Sequence, residues 1–176
     1  AFNVYKIPLE FLVFNKDNGR IASLVKSYIR EHQAIDVETE EGSALIAKFL
    51  YSAHEDRNKI TREDIINNGQ LQYGIVTSDG VIVDGNRRVT LLISIANDPK
   101  VQQSIRDRSK FFLAAILPEE ANPKDILRLE TQFQMGADGK VDYNPIEKYL
   151  HAVDMLNKGF TVNEIKSYMG FKKLTD

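Results

Sequence analysis

The residues with the most chemistry in this chain stand together at Asp84-Gly85-Asn86-Arg87-Arg88. Two guanidinium groups follow a glycine at what the pattern reads as a helix start, because Val89, Leu91, Leu92, Ile95 and Ala96 then recur on one face. Such a start offers unpaired backbone N–H groups and the positive end of the helix dipole. A glycine there lets a ligand approach the backbone, and arginine adds charge-assisted hydrogen bonds. The chemistry is anion binding, with phosphate as the natural occupant; the plainer alternative is a solvated arginine pair in a first helical turn. Asp84 is the nearest carboxylate and is either an acid–base group or the cap of that helix.

Three further residues are candidates for the same pocket. Thr77 and Ser78 precede the first of two Asp-Gly pairs and either face the anion or pack as ordinary strand residues. Arg20 closes the turn-rich run Asn15-Lys16-Asp17-Asn18-Gly19-Arg20, from which it either points at a ligand or sits solvated at a helix start.

The elements that must position these groups are legible as patterns. Between Gly74 and Asp84 two short β-branched runs, the first carrying Thr77-Ser78, are joined by Asp79-Gly80, a pair that favours the positive φ angles of a hairpin turn. Val4 to Leu9 alternates as a short strand that Pro8 places at an edge or an end, and Phe111 to Leu117 is a continuous apolar run suited to a buried central strand. Helices are expected behind Ile21 and over Ser43 to Ala53, where Leu45, Ile46, Phe49 and Leu50 share a face. Asp36 to Gly42 reads as a connection, and Thr61-Arg62-Glu63-Asp64 as the cap of a helix stopped by Asn68-Gly69. Three more helix starts carry strong local chemistry: Asn122-Pro123, Asn144-Pro145-Ile146-Glu147 and the capping box Thr161-Val162-Asn163-Glu164. The class is therefore α+β, a domain over 1–138 with a small mixed sheet, then a short helical segment over 142–176 broken at Lys158-Gly159.

Composition narrows the chemistry. The 176 residues carry 23 Lys and Arg against 25 Asp and Glu, so contact with nucleic acid requires a local patch and not a global field. The absence of cysteine removes disulfides, thiolate metal sites and thiol nucleophiles. His32, His54 and His151 lack ligand spacing and are expected at surface or boundary positions. No apolar run approaches the ~20 residues of a membrane span, and a cytoplasmic location is the default expectation.

Taken in order, these pieces resemble the ParB family of partition proteins, within the ParB/sulfiredoxin fold. Tyr5-Lys6-Ile7-Pro8-Leu9 and Asn15 to Arg20 are similar to the family's opening strand and its Asn-Pro-x-Gln-Pro-Arg loop. Ile66 to Val76 is similar to the entry into its hairpin, and Gly85-Asn86-Arg87-Arg88 resembles the Gly-Glu-Arg-Arg box. Asp142-Tyr143-Asn144-Pro145-Ile146-Glu147 resembles the start of the DNA-binding domain, with Ser43 to Asn58 reading as an insertion. The resemblance implies a nucleoside triphosphate, CTP or ATP with Mg²⁺, gripped at Gly85, Arg87 and Arg88. It further implies coupling to DNA binding in a homodimer. Two departures bear on chemistry. Asn86 replaces the box's Glu, which favours holding an anion over breaking one. Where the family has Glu-Asn-x-Gln-Arg this chain has Glu130-Thr131-Gln132-Phe133-Gln134, so in this segment Glu130, one place off, is the carboxylate left as a metal or catalytic candidate beside Asp84. Sulfiredoxin chemistry is excluded by the missing cysteine. A weak nucleoside triphosphatase, a small-molecule phosphotransferase or nuclease using Asp84 or Glu130, and a non-catalytic DNA- or protein-interaction domain remain as alternatives. Thr161 to Gly170 corresponds to the first helix of a helix-turn-helix, and the chain ends where the recognition helix would begin.

Overall fold

The computed structural model describes residues 3–15, 22–32, 34–136 and 145–169, with backbone alone for 129–130, 132–136 and 145–150. In chain order the elements are β1 (Val4–Pro8), α1 (Ala22–Glu31), α2 (Glu40–Ala53), α3 (Glu55–Asn68), β2 (Gly74–Val76), β3 (Ile82–Asp84), α4 (Asn86–Ala96), α5 (Gln103–Arg108), β4 (Phe111–Ile116), α6 (Pro123–Gly136), α7 (Pro145–Asn157) and α8 (Val162–Met169). Contacts divide the chain into one unit of residues 1–16 and 34–119 and another of 17–33 and 120–176. The division falls after Glu119, ahead of the 138–142 boundary expected from composition, and it assigns α1 to the second unit; residues 137–144 lie outside the described chain.

The first unit is α+β, with a mixed four-stranded sheet in the order β1-β4-β2-β3. β4 is interior, as its unbroken apolar run requires: it pairs antiparallel with β1, Tyr5 opposite Ala114, and parallel with β2, Ile75 opposite Ala115. Pro8 ends β1 at the sheet edge, where its missing N–H costs no ladder bond. β2 starts only at Gly74, so Leu113 of β4 has no strand on that side. Gln70 supplies the missing partner, its Oε1 accepting from Leu113 N at 2.8 Å and its Nε2 donating to Leu113 O at 2.7 Å. A side-chain amide thus stands in for a strand residue.

α4 is the hub of this unit. Six of its residues, Asn86, Val89, Thr90, Leu91, Leu92 and Ile95, are buried, and it packs on α2, α3, α5 and β4. A helix buried on so many sides needs apolar residues beyond one stripe, which is what Val89-Thr90-Leu91-Leu92 supplies. Phe112, Ile82, Val76, Ile46 and Leu50 complete the core around it. The helices before it begin earlier than their sequence signals. α2 starts at Glu40 behind Thr39, whose hydroxyl accepts from Gly42 N at 3.0 Å, so the expected connection over Asp36 to Gly42 is already helical at its end. α3 starts at Glu55, which puts Thr61 inside the helix with its hydroxyl on the Arg57 carbonyl, and not at a cap. Asn58 closes the corner between the two helices by donating to the Leu50 and Tyr51 carbonyls at the end of α2.

The second unit is helical. α6 packs on α8, α1 on α7 and α7 on α8, around Leu127, Met155, Phe160, Ile165 and Met169. Its caps follow the sequence: Asn122 Oδ1 accepts from Asp125 N at 2.9 Å. In the Thr161 to Glu164 box, Thr161 Oγ1 accepts from Glu164 N at 3.1 Å while Glu164 Oε1 accepts from Thr161 N at 3.2 Å. The Thr161 N–H holds the Glu164 carboxyl below the usual carboxylate range. The capping residue at Asn144 lies outside the described residues. His151 corrects the surface expectation for the histidines: it is wholly buried, with Thr131 Oγ1 2.7 Å from its Nε2. Burial pushes its pKa down to about 4, against the opposing pull of Asp154 and with help from Lys158 and Lys26. No helix among the described residues is long and apolar enough to cross a membrane.

Candidate anion site

β3 ends at Asp84, and Gly85 turns the chain into α4 with a φ of 112°, a left-handed conformation open to glycine at little cost. The glycine has a second reason. A Cβ at Gly85 would lie 2.5 Å from Phe112 Cζ, and one at Gly74 would overlap the edge of the same ring and stand 2.7 Å from Asp84 O. Phe112 therefore occupies the space beside Gly85 that composition offered to a ligand. The two glycines form the slot for a core aromatic.

What the helix start does present is backbone and amide N–H. Gly85, at the cap position, has no side chain with which to cap α4; Val89 N, four residues on, donates to Gly85 O at 2.9 Å. Asp84 does not cap it, because its carboxylate is 3.1 Å from Arg88 Nη2 in an ion pair shielded from solvent to about four-fifths on both sides. Asn86, the first helical residue, is 2% exposed. Its Oδ1 accepts from Asn15 N at 3.2 Å, while its Nδ2 is buried with no acceptor among the described residues. A buried donor left in this state costs about 1–3 kcal/mol, which an acceptor oxygen placed against it removes.

The two arginines diverge. Arg88 Nη1 donates to Gln72 O at 2.7 Å and its Nη2 to Asp84, so its guanidinium clamps the base of the hairpin. Arg87 Nη2 donates to Thr61 Oγ1 of α3 at 3.0 Å. Neither contact was legible from spacing, because Gln72 and Thr61 are 16 and 26 residues away from their arginines.

The remaining candidates are placed as follows. Leu12 to Asn15 runs beside the hairpin, with Val13 N donating to Gly80 O at 2.9 Å and Ile82 N to Val13 O at 3.0 Å. Val13 pairs with Val81 in parallel, and Asn15 arrives at Asn86. The start of the Asn15 loop and the Gly85 box are thereby brought together; Arg20 lies outside the described residues. Thr77 and Ser78 are at the opposite end of the hairpin from Gly85. Thr77 Oγ1 accepts from Val81 N at 2.9 Å and bonds the Asp79 carboxylate, holding the turn, and Ser78 is exposed. The structure does not join them to the box. Glu130 is in α6, where only the backbone is described; its neighbour Thr131, at the position where a metal-organising carboxylate was looked for, is buried on His151. Among the described residues no group of three or more His, Asp or Glu is placed to hold a metal ion.

No family model, curated protein or solved structure matches the chain.

Proposed function

We propose that this chain is a ParB-like nucleotide-binding module on the ParB/sulfiredoxin fold. In this reading the start of α4 receives a phosphate of a nucleoside triphosphate, and the bound state is coupled to DNA binding by the complete protein as a homodimer. The observation that carries the phosphate half is the start of α4 behind a glycine that has no side chain to cap it, with the Nδ2 of Asn86 buried there and without an acceptor among the described residues. An N–H array on a helix start, with a neutral amide where a carboxylate would repel, suits an oxyanion. Arg87, one residue on, adds the countercharge.

Binding is better supported than turnover. Asp84 is tied to Arg88 and is a poor general base while that ion pair stands. Among the described residues, which do not include the Glu130 side chain, no group is placed to hold Mg²⁺, and no step is assigned to a metal. The helical unit fits the DNA half in that α7 and a break at Gly159, with a φ of 88°, lead into α8, which in this reading is the first helix of a helix-turn-helix. Calorimetry of the chain with CTP, ATP, GTP, UTP and inorganic triphosphate tests the proposal. Saturable heat with at least one of them is expected, lost in Arg87→Ala; a folded chain that binds none of the five refutes it.

A further inference from the structure

β1 is an edge strand with β4 on one side only. Which of its backbone groups face outward follows from the ladder. Leu9 N donates to Lys110 O at 3.0 Å, so Leu9, Ile7 and Tyr5 turn their N–H and C=O towards β4, and Val4 and Lys6 turn theirs away. The far side of β4 agrees in phase, since Leu113, opposite Lys6, gives its N and O to Gln70. The outward groups of Val4 and Lys6 have no partner among the described residues. Side chains do not hide this edge: Val4 is 41% and Tyr5 48% exposed. Tyr5 shares its face with Ile116 of β4, a diagonal neighbour that is 40% exposed.

Proline and lysine are the residues that usually blunt a sheet edge, and β1 carries both, at Pro8 and Lys6. Here they leave one self-pairing open. When β1 meets a second copy of itself antiparallel, outward residues must oppose outward residues. Lys6 opposite Lys6 sets like charges together and brings Val4 against Pro8, which has no N–H. Val4 opposite Val4 engages one described residue of each strand. Lys6 opposite Val4 avoids both faults: the two residues exchange N–H···O bonds in both directions, and Tyr5 falls on the two-fold axis. One face then carries an apolar row of Ile116, Tyr5 and the second copy's Tyr5 and Ile116. On the other face Val4 meets the aliphatic stem of the second copy's Lys6. The ammonium of Lys6 does not obstruct this, because it is drawn back over the Phe111 ring of β4, 4.3 Å from the centroid. We infer that β1 pairs antiparallel with β1 of a second copy of this chain, Lys6 opposite Val4, joining two four-stranded sheets into one. The inference rests on the homodimer of the reading above, for which it names the surface; it requires neither nucleotide nor DNA. So short an edge buries far less than the ~1,200–2,000 Å² of a stable interface, so the association is weak and depends on concentration.

Sedimentation velocity of the full chain from about 10 µM to about 1 mM tests it, the range suited to a small interface. A monomer–dimer equilibrium is expected. Val4→Pro deletes an outward N–H and spares the ladder to β4, and should weaken the dimer about tenfold or more. Tyr5→Lys sets like charges on the axis and should do the same; it decides alone should Val4→Pro not fold. Melting temperatures should stay within a few degrees of wild type, since neither residue is buried. The chain has no cysteine, so a single introduced thiol reads the register. Tyr5→Cys should be captured as a disulfide dimer in air with copper phenanthroline, and Lys6→Cys, opposite Val4, at least about tenfold more slowly. A wild-type chain that is monomeric throughout overturns the inference. So does capture through Lys6→Cys as fast as through Tyr5→Cys. A dimer that either variant leaves unchanged also overturns it, while the homodimer then stands on another surface. Triphosphate calorimetry judges the phosphate reading separately.

Discussion

Each of the two units buries a polar side chain at its centre, and the two do so in different ways. Asn86, in the α+β unit, is a neutral amide whose oxygen is engaged by Asn15 and whose nitrogen has no acceptor among the described residues. His151, in the helical unit, is titratable, wholly buried and hydrogen-bonded to Thr131. A neutral amide is indifferent to pH and leaves a donor available for a ligand, whereas a buried imidazole ties the stability of its surroundings to protons. Polarity in a core thus points to binding in one unit and to a condition of folding in the other. The difference lies in which atoms remain unmatched and whether the group titrates.

The largest expected effect tests whether the glycine slot is structural. Gly85→Ala should cost about 3 kcal/mol in urea unfolding, from a side chain forced to positive φ and against Phe112. Phe112→Leu in that background should recover part of the loss. A Gly85→Ala chain as stable as wild type would show that the ring moves aside freely.

Next comes the pH dependence that should belong to the helical unit alone. The His151 pKa is lowered from 6.5 to about 4 on folding. Between those values the unfolded chain binds the proton more readily. Stability is therefore fully present above pH 6.5, falls as the pH drops towards 4, and loses nothing more from this group below that. The total is about 3 kcal/mol. Imidazole NMR should find His151 neutral at pH 5.5, and His151→Phe should flatten that part of the stability profile. A ring that protonates near 6.5 in the folded chain would remove the contrast with Asn86.

Asn86→Ala sharpens the other side of the comparison. It strips Asn15 N of this acceptor and leaves space in the core, for a loss of about 2 kcal/mol that should be the same at pH 7 and pH 5. Triphosphate affinity should fall together with it, whereas His151→Phe should leave that affinity unchanged. The smallest effect concerns local helix chemistry: Thr161→Ala removes the acceptor for Glu164 N and should cost about 1 kcal/mol, detectable as a shift in urea midpoint at constant slope.

Much of the architecture was legible before any coordinates. Phe111 to Leu117 had to be interior because it is apolar on both faces, and it is. The Asp79-Gly80 turn, the α4 start after Gly85 and the Thr161 box are set by interactions spanning a few residues, which sequence displays directly. Thr61 shows how such local signals mislead. A Thr followed three residues later by an acidic residue has the form of a cap, but the preceding six residues were already helical because Glu55 and Asp56 suit a first turn. Helix starts compete, and the earlier one won.

The sequence by itself determined the class, the strand identities, the anion-suited composition of Gly85 to Arg88 and the ends of most helices, since each depends on periodicity or on capping within one turn. Only the tertiary structure decided which of those groups are available. It filled the space beside Gly85 with Phe112, fastened Arg88 to Asp84 and Gln72, set Arg87 on Thr61, and buried His151 and Asn86. Apart from the i,i+4 pair of Asp84 and Arg88, packing brings together residues 16 to 71 positions apart to make these contacts, and no local pattern encodes a partner at that distance.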